Sequence, residues 1–550
     1  MRGVGIVGRV ALGILALLGL LVMAAGAAVA GVVGSDDTVF NRPTDLGDDG
    51  RPVLTSPDLL AYEGITVTLR ASAPGGVFIG TAHPVDVADF VGDSSRIRLT
   101  RVTRSGVVAE DAGSAEPVRP ASAGFWTSSM RGEGVEELTL DRDSAASQWV
   151  IAPLTGKGPT TVSFGVTVPG LFRAALLAFG LGALALLACV ELLLRWRRTP
   201  RAPERPAIEA PPEVDGPVVD RPLVDRPVVD RPVVERPAGR HRAQRTAVAM
   251  AVVLSATGCT WEDLMPAKRQ PTDLAATKVA LTKAELPALL ASYDRRLGQA
   301  IEAAQPPRYG ADLWRLADRG PALESDLFGT RVARLTAVGG RSSVPHDPVG
   351  VYAPRFASYP MWSLVASTTG DDKRIDLFTK ASVQAPWLRQ AGTTVSRGLP
   401  EAGRPARAAS SEQAAAATAR WRTYLRSGTT DDGLVLDPDS EEWRENVADL
   451  GSRAMFRSYT VSVEAAGKSG LSRVVEVDDG ALAIVALRMT TRLAGRPDLR
   501  VRWAPPYGEY RPSADGVLSF AHLAVGVIHL PSKGPARVLG ATYSEVAVTP

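Results

Sequence analysis

The side chains best suited to bind a metal ion or to move a proton are five histidines, and none has a partner at a recognised spacing. They are His83, His241, His346, His522 and His529. Protein zinc sites combine His, Cys and carboxylate ligands at short, characteristic separations, which the neighbours of these histidines do not supply. The odd separation of His522 and His529 would place them on opposite faces of a continuous strand. We therefore expect neither a metal centre nor a cofactor.

Motifs for phosphate binding and nucleophilic catalysis are incomplete. Residues 467–469 read Gly-Lys-Ser, as at the end of a phosphate-binding loop, but Ser462 stands where that loop requires its first glycine. No Gly-x-Ser-x-Gly sequence places a nucleophilic serine on a sharp turn. Acidic pairs, such as the Asp-Asp-Gly of residues 431–433, have the composition of ordinary turns. We predict no catalytic residue and a protein that is not an enzyme.

The acidic residues Asp437, Asp439 and Glu441 alternate like the first ligands of a calcium loop. Glu442, however, stands where such a loop requires glycine. Helix capping explains the run better, because Asp439 or Ser440 can accept backbone N–H bonds and the carboxylates favour the positive end of a helix. The sequence therefore predicts a helix that begins near residue 441.

Cys259 is the candidate modification site. It follows a basic stretch (240–245), a short apolar run (247–254) and the small residues 255–258, which together have the anatomy of an export signal. This arrangement resembles the signal of a bacterial lipoprotein, which implies lipidation of Cys259 after cleavage. Ala256 departs from the Leu or Val usual in that family. The alternative is a thin third transmembrane helix.

Two longer apolar segments, residues 10–33 and 174–194, predict transmembrane helices, since about 20 apolar residues cross a bilayer. Basic residues within 1–9 and at 195–198 place both of these flanks in the cytoplasm. Everything between the spans is then exported. A signal peptide cleaved after residues 28–30 is the alternative for the first span, and it exports the same residues.

A Pro-rich linker connects the second span to the third apolar segment. Residues 199–245 contain a Val-Asp/Glu-Arg-Pro repeat between 219 and 237, which blocks helix formation and predicts an extended cytoplasmic spacer. The segment 246–259 would then return the chain across the membrane, as a lipoprotein signal or as a third span. Either reading exports residues 260–550. The predicted location is the plasma membrane, with multiple passes and extracytoplasmic domains.

The first exported region, residues 36–168, predicts an all-β, sandwich-like antiparallel domain. Its strand candidates are 65–69, 96–100, 137–140, 149–151 and 161–166. This region resembles an exported domain of uncharacterised actinobacterial membrane proteins in the run 76–82 and in Asp86-Val87, Phe125-Trp126 and Trp149-Val150. That resemblance covers about the first 200 residues and implies no activity.

The second exported region predicts duplicated α+β units at residues 280–400 and 411–550, each with helices before a curved antiparallel sheet. Thr282 and Glu285 form a capping box ahead of an amphipathic helix. The predicted strands are 332–336, 361–366, 375–378, 387–388, 458–464, 473–477, 481–487, 517–530 and 537–548, and the later helices are 411–425 and 441–455. This order resembles the nuclear-transport-factor-like or cystatin-like cone. Tyr359-Pro360-Met361-Trp362 and Ala385-Pro386-Trp387 resemble an actinobacterial lipoprotein domain of unknown function.

The charge composition limits the classes of function that the protein can have. The 62 basic and 59 acidic residues leave a formal charge of +3, which makes nucleic acid an unsuitable partner. We expect a non-enzymatic binding or scaffolding module on the outer face of the membrane, with another envelope protein as partner. The alternative is a small-ligand carrier or an enzyme with a pocket inside a cone-shaped unit. A filled interior favours the binding or scaffolding module, and a deep pocket with convergent polar groups favours the carrier or enzyme.

Overall fold

The computed structural model describes residues 3–47, 49–57, 59, 66–140, 147–155, 158–198, 276–338, 342–401, 411–466, 471–496, 498 and 516–549. They form an N-terminal half (3–198) and a C-terminal half (276–549). The predicted linker (199–245) and the third apolar segment (246–259), with Cys259, lie outside the described residues.

The N-terminal half begins with an apolar helix, α1 (Gly3–Val33). Its segment Val10–Val33 has a mean hydropathy of 2.5, and only 11% of that segment's most apolar window is buried. A core helix of a soluble protein would bury its apolar face, whereas α1 leaves its apolar side chains exposed. The helix is therefore long and apolar enough to cross a membrane, in agreement with the sequence.

After α1 the chain forms one mixed sheet, so the expected purely antiparallel sandwich is wrong. The elements are β1 (Thr38–Phe40), β2 (Thr44–Leu46), β3 (Val53–Thr55), β4 (Thr66–Ala82), α2 (Pro84–Val91), β5 (Arg96–Thr103), β6 (Gly106–Ala112), β7 (Ser128–Leu140), β8 (Gln148–Pro153) and β9 (Thr160–Thr167). Within the described residues, nine strands pair in the order β1-β9-β4-β8-β3-β5-β6, with β2 beside β9 and β7 beside β4. β3 and β5 run parallel, with Val53 opposite Ile97.

The long strand β4 explains why one sheet replaces two. Gly75 and Gly76 have φ angles of +78° and +97°, and they lie in a bulge that bends the strand. Before the bend β4 pairs with β9, and after it β4 pairs with β8. The sheet therefore curves over its own core. That core includes the buried residues Leu69, Ile79, Trp149 and Phe164.

A second apolar helix, α3 (Leu171–Arg198), packs antiparallel against α1. A Cβ on Gly26 would lie 2.6 Å from the Phe179 backbone nitrogen, and a Cβ on Gly182 would lie 2.6 Å from that of Met23. Glycine at both positions permits the close approach, as is common for helices that pack in lipid. The segment Leu171–Arg195 has a mean hydropathy of 2.4 and also meets the requirements for a membrane span.

The C-terminal half begins with the first α+β unit. Its elements are β10 (Lys278–Val279), α4 (Leu286–Ala303), α5 (Trp314–Ala317), α6 (Gly320–Thr336), β11 (Asp347–Tyr352), β12 (Arg355–Phe356), β13 (Met361–Thr369), β14 (Asp372–Lys380) and β15 (Leu388–Thr394). In this part of the described chain, β11-β13-β14-β15 is an antiparallel sheet and β10 pairs with β12. The capping box is confirmed: the Thr282 amide donates to Glu285 Oε2 at 2.8 Å, and the Glu285 amide donates to Thr282 Oγ1 at 3.3 Å.

The strand predicted at 332–336 is wrong, because these residues complete α6. The β-branched residues Val332 and Thr336 locally favour a strand. In the helix, however, Val332 packs against a core cluster that contains Phe328 and Phe456. The Thr336 hydroxyl donates to the Val332 carbonyl at 3.0 Å. Tertiary packing and this internal hydrogen bond outweigh the local preference.

The second α+β unit contains α7 (Ser411–Ser427), β16 (Leu434–Val435), α8 (Pro438–Ser452), β17 (Phe456–Ala465), β18 (Leu471–Val477), β19 (Gly480–Gly495), β20 (Val517–Pro531) and β21 (Ala536–Thr549). Its described strands pair in the order β16-β21-β20-β19-β17, with β18 beside β19. The start expected near 441 for α8 is corrected to Pro438, with Asp437 at the N-cap. Pro438 is compatible with a first helical turn, where no backbone N–H is needed.

The two units stack as helix, sheet, sheet and helix. Leu482 and Ile484 of β19 pack with Leu377 of the first unit, whereas Ala483 on the opposite face packs with Trp421 of α7. The alternation follows from the two-residue period of a strand. Trp421 is fully buried, so it fills the space between α7 and the second sheet.

Candidate functional site

The N-terminal half meets the C-terminal half through α2, a short helix between β4 and β5. His83 caps it, because its Nδ1 accepts a hydrogen bond from the Val85 amide at 3.2 Å. Pro84 opens the first turn, and Asp86 lies in that turn, where a carboxylate favours the positive helix end. The helix thus holds one nearly buried carboxylate, Asp86, which is 4% exposed.

Asp86 binds two side chains of the C-terminal half. Lys278 Nζ lies 2.6 Å from Asp86 Oδ2, and the Tyr359 hydroxyl donates to Asp86 Oδ1 at 2.7 Å. Burial and the nearby Asp86 carboxylate raise the pKa of Tyr359. The tyrosine therefore stays protonated and continues to donate this hydrogen bond at neutral pH.

Two further contacts of α2 extend the interface. The Val383 amide donates to Asp89 Oδ2 at 2.7 Å. Val85 belongs to the core cluster that surrounds Leu286 and Tyr293 of α4. We call these contacts of Val85, Asp86 and Asp89 the docking contact. It combines an ion pair, hydrogen bonds and apolar burial, which together specify one orientation of the two halves.

Beside the docking contact is a cleft of about 720 Å³, which we call the inter-half cleft. This volume lies within the range of about 300–1,000 Å³ typical of small-molecule sites. Both halves line the cleft. The chemically important lining residues are Phe125 of the N-terminal half and Lys278, Glu285, Arg296, Tyr359, Lys380 and Trp387 of the C-terminal half.

The elements of the first α+β unit determine where these groups lie. Arg296 is on α4, Lys380 ends β14, and Trp387 lies just before β15. Phe125 follows a short 3₁₀ turn (Pro120–Ser122) and packs against Trp126 in a tilted arrangement, with ring centroids 4.4 Å apart. The C-terminal half therefore supplies all three cations of the cleft, whereas both halves supply aromatic rings.

The cations differ in how far the protein neutralises them. Lys278 is paired with Asp86. Lys380 and Arg296 form no salt bridge within the described parts of the chain, although Glu285, Asp86 and Asp89 act on Lys380 at longer range. Burial, and for Lys380 the neighbouring Lys278, lower the pKa of both Lys380 and Arg296.

Arg296 is held in place by uncharged acceptors. One terminal nitrogen donates to Ser292 Oγ at 2.9 Å, and the other donates to the Trp387 carbonyl at 2.6 Å. Its Nε is buried without a hydrogen-bond partner among the described residues. A guanidinium has five N–H groups, so these two hydrogen bonds leave most of its donor capacity unused. Chemically, the cleft is suited to holding an anion.

A second charged cluster lies inside the first α+β unit. Arg389 Nε lies 2.8 Å from Asp318 Oδ1, and a terminal nitrogen lies 3.0 Å from Asp326 Oδ2. The Tyr293 hydroxyl donates to Asp318 at 3.4 Å. Burial raises the pKa of Asp318 to about 7, against the lowering influence of Arg389. Because both carboxylates form salt bridges with Arg389, the cluster connects α5 and α6 to β15.

The structure does not gather the histidines into one site. His346 Nδ1 lies 2.6 Å from Asp294 Oδ1, and His83 caps α2. His522 and His529 are on β20, where His522 is partly buried beside Trp443 and His529 Nε2 lies 3.1 Å from the Asp479 carbonyl. Among the described residues, no group of three or more His, Cys, Asp or Glu could hold a metal ion. His241 and Cys259 lie outside the described residues.

Sequence reasoning missed Lys380 and Arg296. The Ala385-Pro386-Trp387 motif indicates only a resemblance, and Lys380 lies two residues after the predicted strand 375–378. Neither feature indicates a site, because an arginine on a helix and a lysine at a strand end are common on protein surfaces. Only their shared cleft distinguishes them.

Comparison of the chain with protein-family models, with curated proteins and with solved structures gives no match.

Proposed function

We propose that this chain is a membrane-anchored binding module of the cell envelope, whose two halves form one body outside the cytoplasm. The observation that carries the proposal is the docking contact, which joins the N-terminal sheet to the first α+β unit beside the inter-half cleft. The cleft takes lining residues from both halves, so ligand binding depends on their association. No catalytic step is part of the proposal.

The docking contact also supports the proposed topology. If α1 and α3 cross the membrane as an antiparallel pair, the sheet between them lies on one side and Arg198 lies on the other. The C-terminal half contacts that sheet, so it must lie on the sheet's side. The chain between 199 and 275 then has to cross once more. Residues 246–259, as a span or a lipoprotein signal with Cys259, are the apolar segment suited to this crossing.

A carrier or enzyme with a pocket inside a cone-shaped unit has less support. Trp421 is fully buried between α7 and the second sheet, and a Cβ on Gly526 would lie 2.5 Å from its ring. The space that a nuclear-transport-factor-like unit would offer to a ligand is thus filled in the second unit. The inter-half cleft is the better candidate, and an envelope protein partner would have to bind elsewhere on the surface.

A disulfide between the halves tests the proposal in the full chain. Asp89→Cys and Val383→Cys would replace residues whose side chain and amide are already in contact. Disulfides form in oxidising compartments outside the cytoplasm and rarely inside it. A protease site inserted in the linker (199–245) then lets a non-reducing gel report whether the halves remain joined after cleavage.

We expect the two cleaved halves to remain in one band without reductant and to separate with it. The matched control combines Val383→Cys with Asp45→Cys, an exposed position on β2, and should give separate halves. The contrary outcome is that both cysteine pairs give separate halves and that membrane-impermeant reagents do not label the free thiols. It would place the C-terminal half inside the cell. That result would refute the proposal.

A further inference from the structure

The inter-half cleft presents two incompletely neutralised cations beside aromatic surface. Lys380 Nζ lies 6.0 Å from the centroid of the Tyr359 ring, and Arg296 is fixed by Ser292 and the Trp387 carbonyl. Both positions are partly buried. A partly desolvated cation without a close counterion is unfavourable, and an anion from solution would relieve that cost.

The nearby carboxylates are already engaged. Asp86 accepts from Lys278 and Tyr359, Asp89 accepts from the Val383 amide, and Glu285 accepts from Thr282. These bonds hold the acidic groups in the docking contact and in the helix cap. Lys380 and Arg296 therefore remain available to a ligand, even though the carboxylates reduce the net positive charge around them.

We propose that the inter-half cleft binds a small organic oxyanion, a phosphate or carboxylate attached to an apolar ring or chain. Lys380 and Arg296 contact the oxyanion, and Phe125 and Trp387 pack against the apolar part. This inference rests on the proposed function, because Phe125 reaches the cleft only when the halves are docked.

The chemistry of each group fits this assignment. Guanidinium N–H groups match the paired oxygens of carboxylate and phosphate, and an ammonium adds a flexible point charge. Aromatic rings offer a large apolar surface at low conformational cost. An oxyanion without an apolar part would leave Phe125 and Trp387 without a contact, and a neutral ring would leave both cations without a counterion.

The oxyanion has two possible sources, a soluble metabolite or the headgroup of an anionic lipid. Full-length protein in dodecyl maltoside, whose headgroup carries no phosphate, allows both to be tested by isothermal titration calorimetry. The soluble probes are phenyl phosphate and benzoate, and the lipid probe is short-chain phosphatidic acid. Benzyl alcohol lacks the charge and inorganic phosphate lacks the ring, so these two serve as ligand controls.

We expect at least one charged, ring- or chain-bearing probe to bind at least tenfold more tightly than benzyl alcohol and inorganic phosphate. Tighter binding of the lipid probe assigns the oxyanion to a headgroup, and tighter binding of a soluble probe assigns it to a metabolite. No binding of any charged probe at millimolar concentration would overturn the inference.

Matched variants locate the site. Lys380→Met and Arg296→Gln should each weaken binding at least tenfold, because a charge-assisted hydrogen bond is lost. Lys373→Met on the same strand and Arg295→Gln on the same helix change exposed residues and should leave binding within about twofold. Equal binding by wild type and all four variants would place the ligand elsewhere and overturn the inference.

The disulfide between residues 89 and 383 separates the two possible failures. If it forms in the Lys380→Met and Arg296→Gln proteins, the variants remain docked and a loss of binding reports on the cleft itself. If it forms in the double-cysteine protein with Lys380 and Arg296 intact, but wild type binds no oxyanion, the docked architecture stands and only the ligand assignment fails. If it does not form in that double-cysteine protein, the proposed function fails first.

Discussion

Asp86 and Tyr359 are separated by 273 residues in the chain, yet the tyrosine hydroxyl donates to the aspartate at 2.7 Å. The same carboxylate lies 2.6 Å from Lys278 Nζ. One nearly buried side chain of the N-terminal half thus meets two donors of the C-terminal half. This relationship joins the two halves beside the inter-half cleft, which takes lining residues from both of them.

Asp86→Asn should weaken the docking contact by about 2 kcal/mol, since the amide leaves Lys278 without its counterion in a partly buried site. Hydrogen exchange measured by mass spectrometry should show faster exchange in α2 and around residue 278. Asp111→Asn removes an exposed carboxylate of the same half that pairs with Arg51, and it should leave both regions unchanged. Unaltered exchange in Asp86→Asn would show that the docking contact does not depend on this charge.

His522 should make the C-terminal half less stable in acid. Burial lowers its pKa to about 4 from a usual value of 6.5, so the folded state binds fewer protons than the unfolded state between these values. Above pH 6.5 the histidine is neutral in both states and the free energy of unfolding has its full value. It decreases by about 3 kcal/mol as the pH falls from 6.5 towards 4. Urea unfolding of wild type and His522→Gln at several pH values measures this loss, which is the difference between the pH dependences of their free energies of unfolding. His529→Gln, on the same strand, should follow wild type.

Arg389→Met should destabilise the first α+β unit by about 3–5 kcal/mol, because two buried carboxylates lose their counterion. Loss of the arginine raises the pKa of Asp318 further, so the deficit should be larger at pH 8 than at pH 5. Chemical denaturation at both pH values measures the deficit. Arg315→Met, an exposed change on α5, is the control, and adding Asp318→Asn to Arg389→Met should recover part of the loss.

Gly526→Ala should destabilise the second α+β unit by about 1–3 kcal/mol, because the new methyl group would lie 2.5 Å from the Trp421 ring. Trp421→Phe in the same protein should offset part of this cost by making room. Thermal unfolding of the single and double variants tests the coupling. Gly398→Ala has no neighbouring atom within 4 Å and is the matched control. Additive effects of the two substitutions would contradict the proposed contact.

The local elements could be predicted from the sequence where a short-range pattern dominates. The charge-free run of α1 indicates a span by its length, and Thr282 and Glu285 form their capping box within one helical turn. The near-continuous apolar runs of β19 and β20 are typical of strands that are buried on both faces. Each of these signals lies within one continuous segment, so the chain itself contains the information.

Tertiary structure decided the features that depend on distant surfaces. Val332 and Thr336 became helical because the packing of α6 outweighed their strand preference. β3 pairs in parallel with β5, a pairing that the periodicity of either strand does not predict. Docking placed Phe125 beside Lys380 and Arg296. Local periodicity determines which face of an element is apolar, but the partner of that face depends on the complementary shape and charge of segments hundreds of residues away.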